Sequence, residues 1–419
     1  MGVPSDDVVV IQAPEMAGKP SVITISCPDK TGLGCDLCRV ILFFGLSIVR
    51  GDVSTDGKWC YIVFWVEETG GRPTRWGLLK KRLLAACPAV SAASGLYNYC
   101  YRPQELMVEE QPPQVFLLKF SSSDRMGLLH DVTQVLSELE LTIRRVKVST
   151  TPDGRVMDLF FISDTRELLH TKRRKEEACE KLRAVLGDSM TNCEIEPANS
   201  QIIVCLKASP FLPPAITEEL FNLELSEELP VGSPFSLNNP SVTMDNSLSP
   251  SHTLIQILGR DHKGLLYDVM RTLKDYNVQI CYGRFHSSQD GRCEIDLFVM
   301  QMDGKKIIDQ SKQRALCSHL RMELFRPLQV TVVSRGPDME LLVANPIELS
   351  GKGRPLVFYD ITLALKILQI RIFLAEIGRH VVGDREWEVY RILLCDDFKL
   401  RASQNKIIEG VTKMLMGWE

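Results

Sequence analysis

Cys27-Pro28-Asp29-Lys30-Thr31-Gly32-Leu33, Ser123-Asp124-Arg125-Met126-Gly127-Leu128-Leu129 and Arg260-Asp261-His262-Lys263-Gly264-Leu265-Leu266 carry one local text: aspartate, two variable residues, glycine, leucine. Each follows an apolar run of strand type, Val22 to Ser26, Val115 to Phe120 and Leu254 to Leu258. Each precedes apolar residues at helical spacing, such as Leu128, Val132, Val135, Leu136 and Leu139. The text marks a strand-to-helix turn that recurs along one chain.

Offsets from the three glycines extend the match. An aspartate stands 4 residues on (Asp36, Asp131, Asp268), and a polar residue followed by isoleucine stands 15 residues on (Ser47-Ile48, Thr142-Ile143, Gln279-Ile280). A hairpin signal follows, Asp56-Gly57, Asp153-Gly154 and Asp290-Gly291, at 57−32=25, 154−127=27 and 291−264=27 residues past the glycine. A fourth copy aligns Leu356-Val357-Phe358-Tyr359-Asp360-Ile361 with Gly264-Leu265-Leu266-Tyr267-Asp268-Val269, keeping Asp360, Arg371-Ile372 and the turn glycine Gly383. It carries Gly353 and Leu356 where the other copies have Asp and Gly, so it should keep the fold while its own site is in doubt.

Each unit therefore reads strand, helix, strand, hairpin, strand, helix, strand. In the third, Val278 to His286 and Cys293 to Met300 form the hairpin, Lys305 to His319 the second helix and Leu328 to Val333 the last strand. The expected fold class is α+β: four tandem ferredoxin-like βαββαβ modules, each an antiparallel four-stranded sheet with two helices on one face. Expected boundaries are an N-terminal extension over 1–18, modules over 19–104, 113–196, 251–335 and 339–419, and an extra strand plus Pro/Ser/Asn-rich linker over 197–250. The linker follows from motif spacings of 127−32=95, 264−127=137 and 356−264=92 residues. That long middle interval predicts two pairs, modules one and two against three and four. The fourth module ends after its second helix, about Leu400 to Met416, so Gln201 to Leu206 is expected to fill its open edge.

Composition narrows the function classes. Hydrophobic residues make up 45% and charged ones 24% of the 419 residues, as in globular domains able to bury a core. A net charge of −4 gives no footprint for nucleic acid. No apolar run is long enough to span a membrane, and Met1-Gly2-Val3-Pro4-Ser5-Asp6 fails as a myristoylation signal because Asp6 fills the Ser/Thr slot. The expected place is intracellular, cytoplasmic by default with the nucleus left open. The 13 cysteines are read as small buried hydrophobes, and Cys35-Asp36-Leu37-Cys38 as helix packing without a second CxxC or His to complete a zinc site.

The turn suits binding. Glycine lets backbone approach a ligand, and the following helix start offers unpaired N–H groups that attract an anion such as an amino-acid carboxylate. The plainer alternative is that Asp29, Asp124 and Asp261 brace the turn while glycine supplies a dihedral. The aspartates at +4 are read as complementing the helix dipole rather than as ligands. Ser47, Thr142 and Gln279 begin the second strand, an edge strand, from which they could face a neighbouring module's turn.

These βαββαβ units with an Asp-Arg/Lys-x-Gly-Leu-Leu turn resemble ACT domains, and four in one chain without an enzyme resemble the plant ACT domain repeat family. The resemblance covers nearly the whole chain; the first module departs from it with Gly34 where the others have Leu129 and Leu266. It implies amino-acid binding between two modules, by the first turn of one and the start of the second strand of the other. Carried over by position, the turn candidates are Asp29, Lys30, Gly32, Leu33, Asp124, Arg125, Gly127, Leu128, Asp261, His262, Lys263, Gly264 and Leu265. The strand candidates are Ser47, Ile48, Thr142, Ile143, Gln279 and Ile280. The implied role is a non-catalytic sensor without cofactor, partnered by a small amino acid and able to self-associate through its sheets.

Other signals are weaker. There is no G-x-x-x-x-G-K, G-x-S-x-G or H-E-x-x-H, and in bacterial uridylyltransferases ACT modules follow catalytic domains for which this chain has no spare residues. No strand carries the basic-Gly-aromatic text of an RNA-recognition motif. Lys172-Arg173-Arg174-Lys175, followed by Glu176-Glu177, reads as a solvated helix start rather than a nuclear signal. The competing function is a ligand-independent scaffold acting through a protein partner, with Ser209-Pro210, Ser233-Pro234 and Ser249-Pro250 suited to phosphorylation.

Overall fold

The computed structural model describes residues 8–14, 16, 18–69, 73–88, 114–151, 153–164, 166, 168–198, 212–221, 241–288, 290–325, 327–336, 338–383, 385–394 and 403–417. Its first elements are β1 (Val9–Gln12), β2 (Ser21–Pro28), α1 (Leu33–Phe43), β3 (Leu46–Thr55), β4 (Trp59–Glu68) and α2 (Trp76–Ala86). Next come β5 (Phe116–Ser123), α3 (Leu128–Glu138), β6 (Leu141–Thr150), β7 (Arg155–Asp164), α4 (Lys172–Leu186), β8 (Met190–Pro197) and α5 (Pro214–Phe221). The third set is β9 (Ser241–Asp245), β10 (Thr253–Arg260), α6 (Leu265–Asp275), β11 (Val278–Ser287), β12 (Arg292–Gln301) and α7 (Gln310–Phe325). The chain closes with β13 (Gln329–Arg335), β14 (Asp338–Pro346), α8 (Val357–Ile367), β15 (Ile372–Val382), β16 (Arg385–Leu394) and α9 (Gln404–Met416).

Two compact units result, one of Met1–Glu105, Ser226–Pro327 and Met416–Glu419, the other of Leu106–Leu225 and Leu328–Leu415. Each holds an eight-stranded antiparallel sheet, in the orders β1-β2-β4-β3-β11-β12-β10-β9 and β13-β14-β16-β15-β6-β7-β5-β8. Module one therefore joins module three, and module two joins module four. The expected pairing of one with two and three with four is corrected. The long middle interval is a connection between units, not a divide between pairs.

The second strands meet as foreseen, but with other partners. β3 runs against β11 with Asp52 opposite Arg284, and β6 against β15 with Lys147 opposite Glu376. All four residues lie 20 beyond their module's turn residue (52−32, 284−264, 147−127, 376−356), so each junction is centred on an opposite-charge cross-strand pair. Every second strand also bulges at one place, just after Ile48, Ile143, Ile280 and Ile372. A bulge re-aims the strand, here beside the position read as a site.

Alternating strand residues and one helix face supply the core. In the first unit Ile23, Ile25, Ile62 and Phe64 of module one lie in one apolar cluster with Ile255, Ile257, Ile295 and Leu297 of module three. In the second, Leu118, Phe120, Phe160, Ile162, Ile377 and Ile392 are buried in the same way.

Edge strands depart from the expected order. Among the described residues, module two alone follows βαββαβ, with β8 beside β5. In the others the edge strand precedes the module's first strand and pairs with it: β1 with β2, β9 with β10, β13 with β14. Leu328 to Val333 thus does not close module three; its strand, β13, is the edge of module four, with Gln329 opposite Ala344. An antiparallel neighbour of the first strand can be delivered from either chain end. Here a short hairpin containing Gly336, at φ 70, delivers it. Module four accordingly has an edge strand, and Gln201 to Leu206 lies outside the described residues. The 197–250 stretch is also more than linker: it includes β9 and α5, whose Ile216 and Leu220 pack on Leu342, Trp387 and Val389.

Candidate ligand clefts between paired modules

The repeated turn has one backbone shape. Gly32, Gly127 and Gly264 cap their helices at φ 76, 75 and 82, a left-handed conformation open to glycine and costly for other residues. Leu356 takes the same bend at φ 64, so module four keeps the geometry without the glycine. The motif aspartate has the bracing role in two modules. Asp29 accepts a hydrogen bond from the Thr55 hydroxyl at 2.7 Å, and Asp261 one from Ser287 at 2.6 Å, tying the turn to the end of the second strand.

Three clefts form where a turn faces the partner module. Asp29, Lys30, Gly32 and Leu33 meet Gln279 and Ile280 across the first. Asp261, His262, Gly264 and Leu265 meet Ile48 across the second. Asp124, Arg125, Gly127 and Leu128 meet Arg371 and Ile372 across the third. Turn and strand start thus converge, but between modules one and three and between two and four. Lys263, Ser47, Thr142 and Ile143 line none of these clefts. Their free volumes are about 50, 20 and 30 Å³, room for one to a few waters, so a ligand the size of an amino acid has to displace a side chain. A wider hollow of about 730 Å³ lies among Ile11, Pro14, Lys19, Val66, Trp76 and Lys80, away from every motif residue.

In the first and third clefts the side chain to be displaced is a lysine that the sequence reading passed over. Lys274 of α6 lies across Gly32, so close that a Cβ there would stand 2.6 Å from its Cδ, and Lys366 of α8 lies across Gly127 at 2.8 Å. Each reaches the aspartate one turn into the helix: Lys274 Nζ is 3.4 Å from Asp36 and Lys366 Nζ 2.7 Å from Asp131. Those aspartates also bind the cation of their own turn, Lys30 at 2.8 Å and Arg125 at 2.6 Å. Burial works against ionisation of Asp131, but Lys366 and Arg125 outweigh it and hold its carboxyl below the usual value. Asp36 and Asp131 are therefore inter-module anchors as well as dipole partners. The signal was an offset: 274−264 and 366−356 both equal 10, where modules one and two carry Leu42 and Ser137.

Module two differs at the floor of its cleft. Thr150, the counterpart of Thr55 and Ser287, has a buried hydroxyl with no hydrogen-bond partner. Asp158 on β7 stands opposite Phe120, where the matching positions of the other turns hold Ile62 opposite Ile25 and Ile295 opposite Ile257. It is 1% exposed, and neither carboxylate oxygen has a side-chain hydrogen-bond partner among the described residues, only the Ser149 backbone N–H acting on it as a donor.

The remaining signals resolve into structure. Cys35 and Cys38 are buried in the first core, where burial pushes the Cys38 thiol up, away from reactivity. Lys172–Lys175 does start a helix, but Arg174 is buried there, bound to Asp164 at 3.2 Å and Glu177 at 2.9 Å. The Ser249 hydroxyl accepts the His252 N–H at 3.2 Å; Ser209 and Ser233 lie outside the described residues. No described helix is long and apolar enough to cross a membrane.

Comparison with known proteins covers all four modules. Residues 11–88 match the family described as ACT domain-containing protein ACR10, N-terminal, and residues 116–180 the ACT domain. Residues 241–338 match the ACR9-like, ACT-like domain, and residues 339–417 ACT domain-containing protein ACR9, C-terminal. The chain is 57% identical to ACT domain-containing protein ACR10 of Arabidopsis thaliana and 52% to ACR9 of the same plant, each over 423 aligned residues covering 100% of both chains. A 193-residue alignment, 46% of this chain, is 28% identical to 18% of the bifunctional uridylyltransferase/uridylyl-removing enzyme of Rhodospirillum rubrum. The repeated glycine turn, the paired ferredoxin-like sheets and full-length identity to two such plant proteins agree that the chain belongs to the plant ACT domain repeat family.

Proposed function

We propose that this protein is a non-catalytic amino-acid sensor whose ligand binds in the turn-to-strand clefts of modules one with three and two with four. The observation that carries this reading is the convergence of a left-handed glycine turn, a helix start and the partner module's strand start in three separate places. Lys30 with Lys274, and Arg125 with Lys366, add cations where a ligand carboxylate would lie. Displacing Lys274 or Lys366 from its glycine would open the cleft and shift the contact between modules, coupling occupancy to the sheet junction. The small closed volumes favour the competing reading, in which the turns only build module interfaces and the chain acts as a scaffold. Thermal-shift titration of the full chain with the standard amino acids separates the two. A ligand at one hundred times its Kd should stabilise the folded state by about 2.7 kcal/mol, whereas a scaffold does not respond.

A further inference from the structure

We infer that the cleft of module two is specific for a ligand bearing a free ammonium group, which the Asp158 carboxylate and the Thr150 hydroxyl receive at its floor. The assignment rests on the amino-acid reading above and adds which of the clefts discriminates, and by which atoms. A buried carboxylate with no side-chain partner among the described residues, in a position held elsewhere by isoleucine, costs stability and fills no packing need. An ammonium offers three donors, and Asp158 and Thr150 offer three acceptor oxygens. Arg125, Lys366 and Arg371 line the same cleft, so one wall is cationic and its floor is acidic, the polarity of a zwitterion.

In the closed cleft, burial and then the nearby Asp124 push the Asp158 carboxyl well above the usual carboxylate range. Besides Asp124 and the cations Arg125, Lys366 and Arg371, the cleft is lined by His130, whose Nδ1 is 3.3 Å from the Thr362 hydroxyl. An entering R–NH3⁺ favours the ionised form of Asp158, so the proton that burial favours on this carboxyl is released to solvent as the ion pair forms.

The test is calorimetric titration of the full chain, wild type, Asp158→Ile and Asp158→Asn, with the standard amino acids and their N-acetyl derivatives, in buffers of different ionisation enthalpy. The expected result is binding to wild type with proton release, at least tenfold weaker binding of N-acetyl forms, and loss of this site in both variants. Asp158→Ile should fold and melt higher, because isoleucine occupies this position in modules one and three. If wild type binds and both variants bind equally well, or N-acetyl derivatives bind as tightly, the Asp158 assignment is overturned while the sensor reading stands. If wild type binds no amino acid, both fall.

Discussion

Gly127→Ala tests the link between the glycine turn and the partner lysine. At φ 75 an alanine costs about 1–2 kcal/mol in backbone energy. Its Cβ would also stand 2.8 Å from Lys366 Cδ and 2.9 Å from Cε and Cγ, so the lysine has to leave. Leaving breaks the 2.7 Å pair with Asp131, worth at most about 1 kcal/mol because the Lys366 side chain is 40% exposed. The total is about 1–3 kcal/mol. Gly154→Ala is the control: its φ is also 75, but nothing lies within 4 Å of the added atom, so only the backbone cost remains. Urea unfolding of both variants, alone and with Lys366→Ala, forms a double-mutant cycle in which the Gly127 excess should vanish once the lysine is gone. Equal costs at Gly127 and Gly154, or an excess that survives in Lys366→Ala, would refute the lysine-over-glycine geometry.

Asp158 gives a pH signature with a definite sign. Its folded value is raised above the ordinary 3.8, so the native state holds the proton longer than the unfolded chain. Wild-type stability relative to Asp158→Asn should be fully retained below about pH 3.8, then fall as pH rises by up to about 1.4 kcal/mol per unit, levelling off above the raised value; parallel pH curves would contradict it. Arg271 is buried between Glu323 and Asp268, and Arg271→Ala should lower the stability of the first unit by about 3–5 kcal/mol in chemical denaturation, with a cost under 1 kcal/mol counting against a buried pair. The Sγ atoms of Cys179 and Cys193 are 3.0 Å apart, so diamide should join them, taking two hydrogens that mass spectrometry detects as a 2 Da loss in the peptide pair. A reduced pair after treatment that oxidises control thiols would refute that proximity.

How much of this was legible follows from distance along the chain. The turn, its helix and the Asp-Gly hairpin are local, so the Asp-x-x-Gly-Leu text placed Gly32, Gly127 and Gly264 at equivalent bends, which the structure shows to be left-handed. Leu356 was legible as a departure, though not that it would adopt the glycine's dihedral, which only the surrounding fold can impose. Edge strands were misread because β1 and β9 are short and all of β1, β9 and β13 lie ahead of the apparent start of the module they join, and pattern alone does not say which sheet an edge strand joins.

Module pairing shows where local information ends. Opposite charges at +20 allow one-with-two and three-with-four as readily as the observed pairs, since Asp52 suits Lys147 or Arg284 and Glu376 suits either cation. The lysines at +10 in modules three and four break that tie. Had module one met module two, Asp36 and Asp131 would face Ser137 and Leu42 instead of Lys274 and Lys366. Sequence by itself determined four copies of one module and the residues of its turn, because periodicity and turn chemistry act over a few residues. Tertiary structure alone decided which copies share a sheet and which lysine covers which glycine, because those facts depend on burial and charge compensation between segments more than one hundred residues apart; the place of Asp158 beneath one turn depends on strand register within module two.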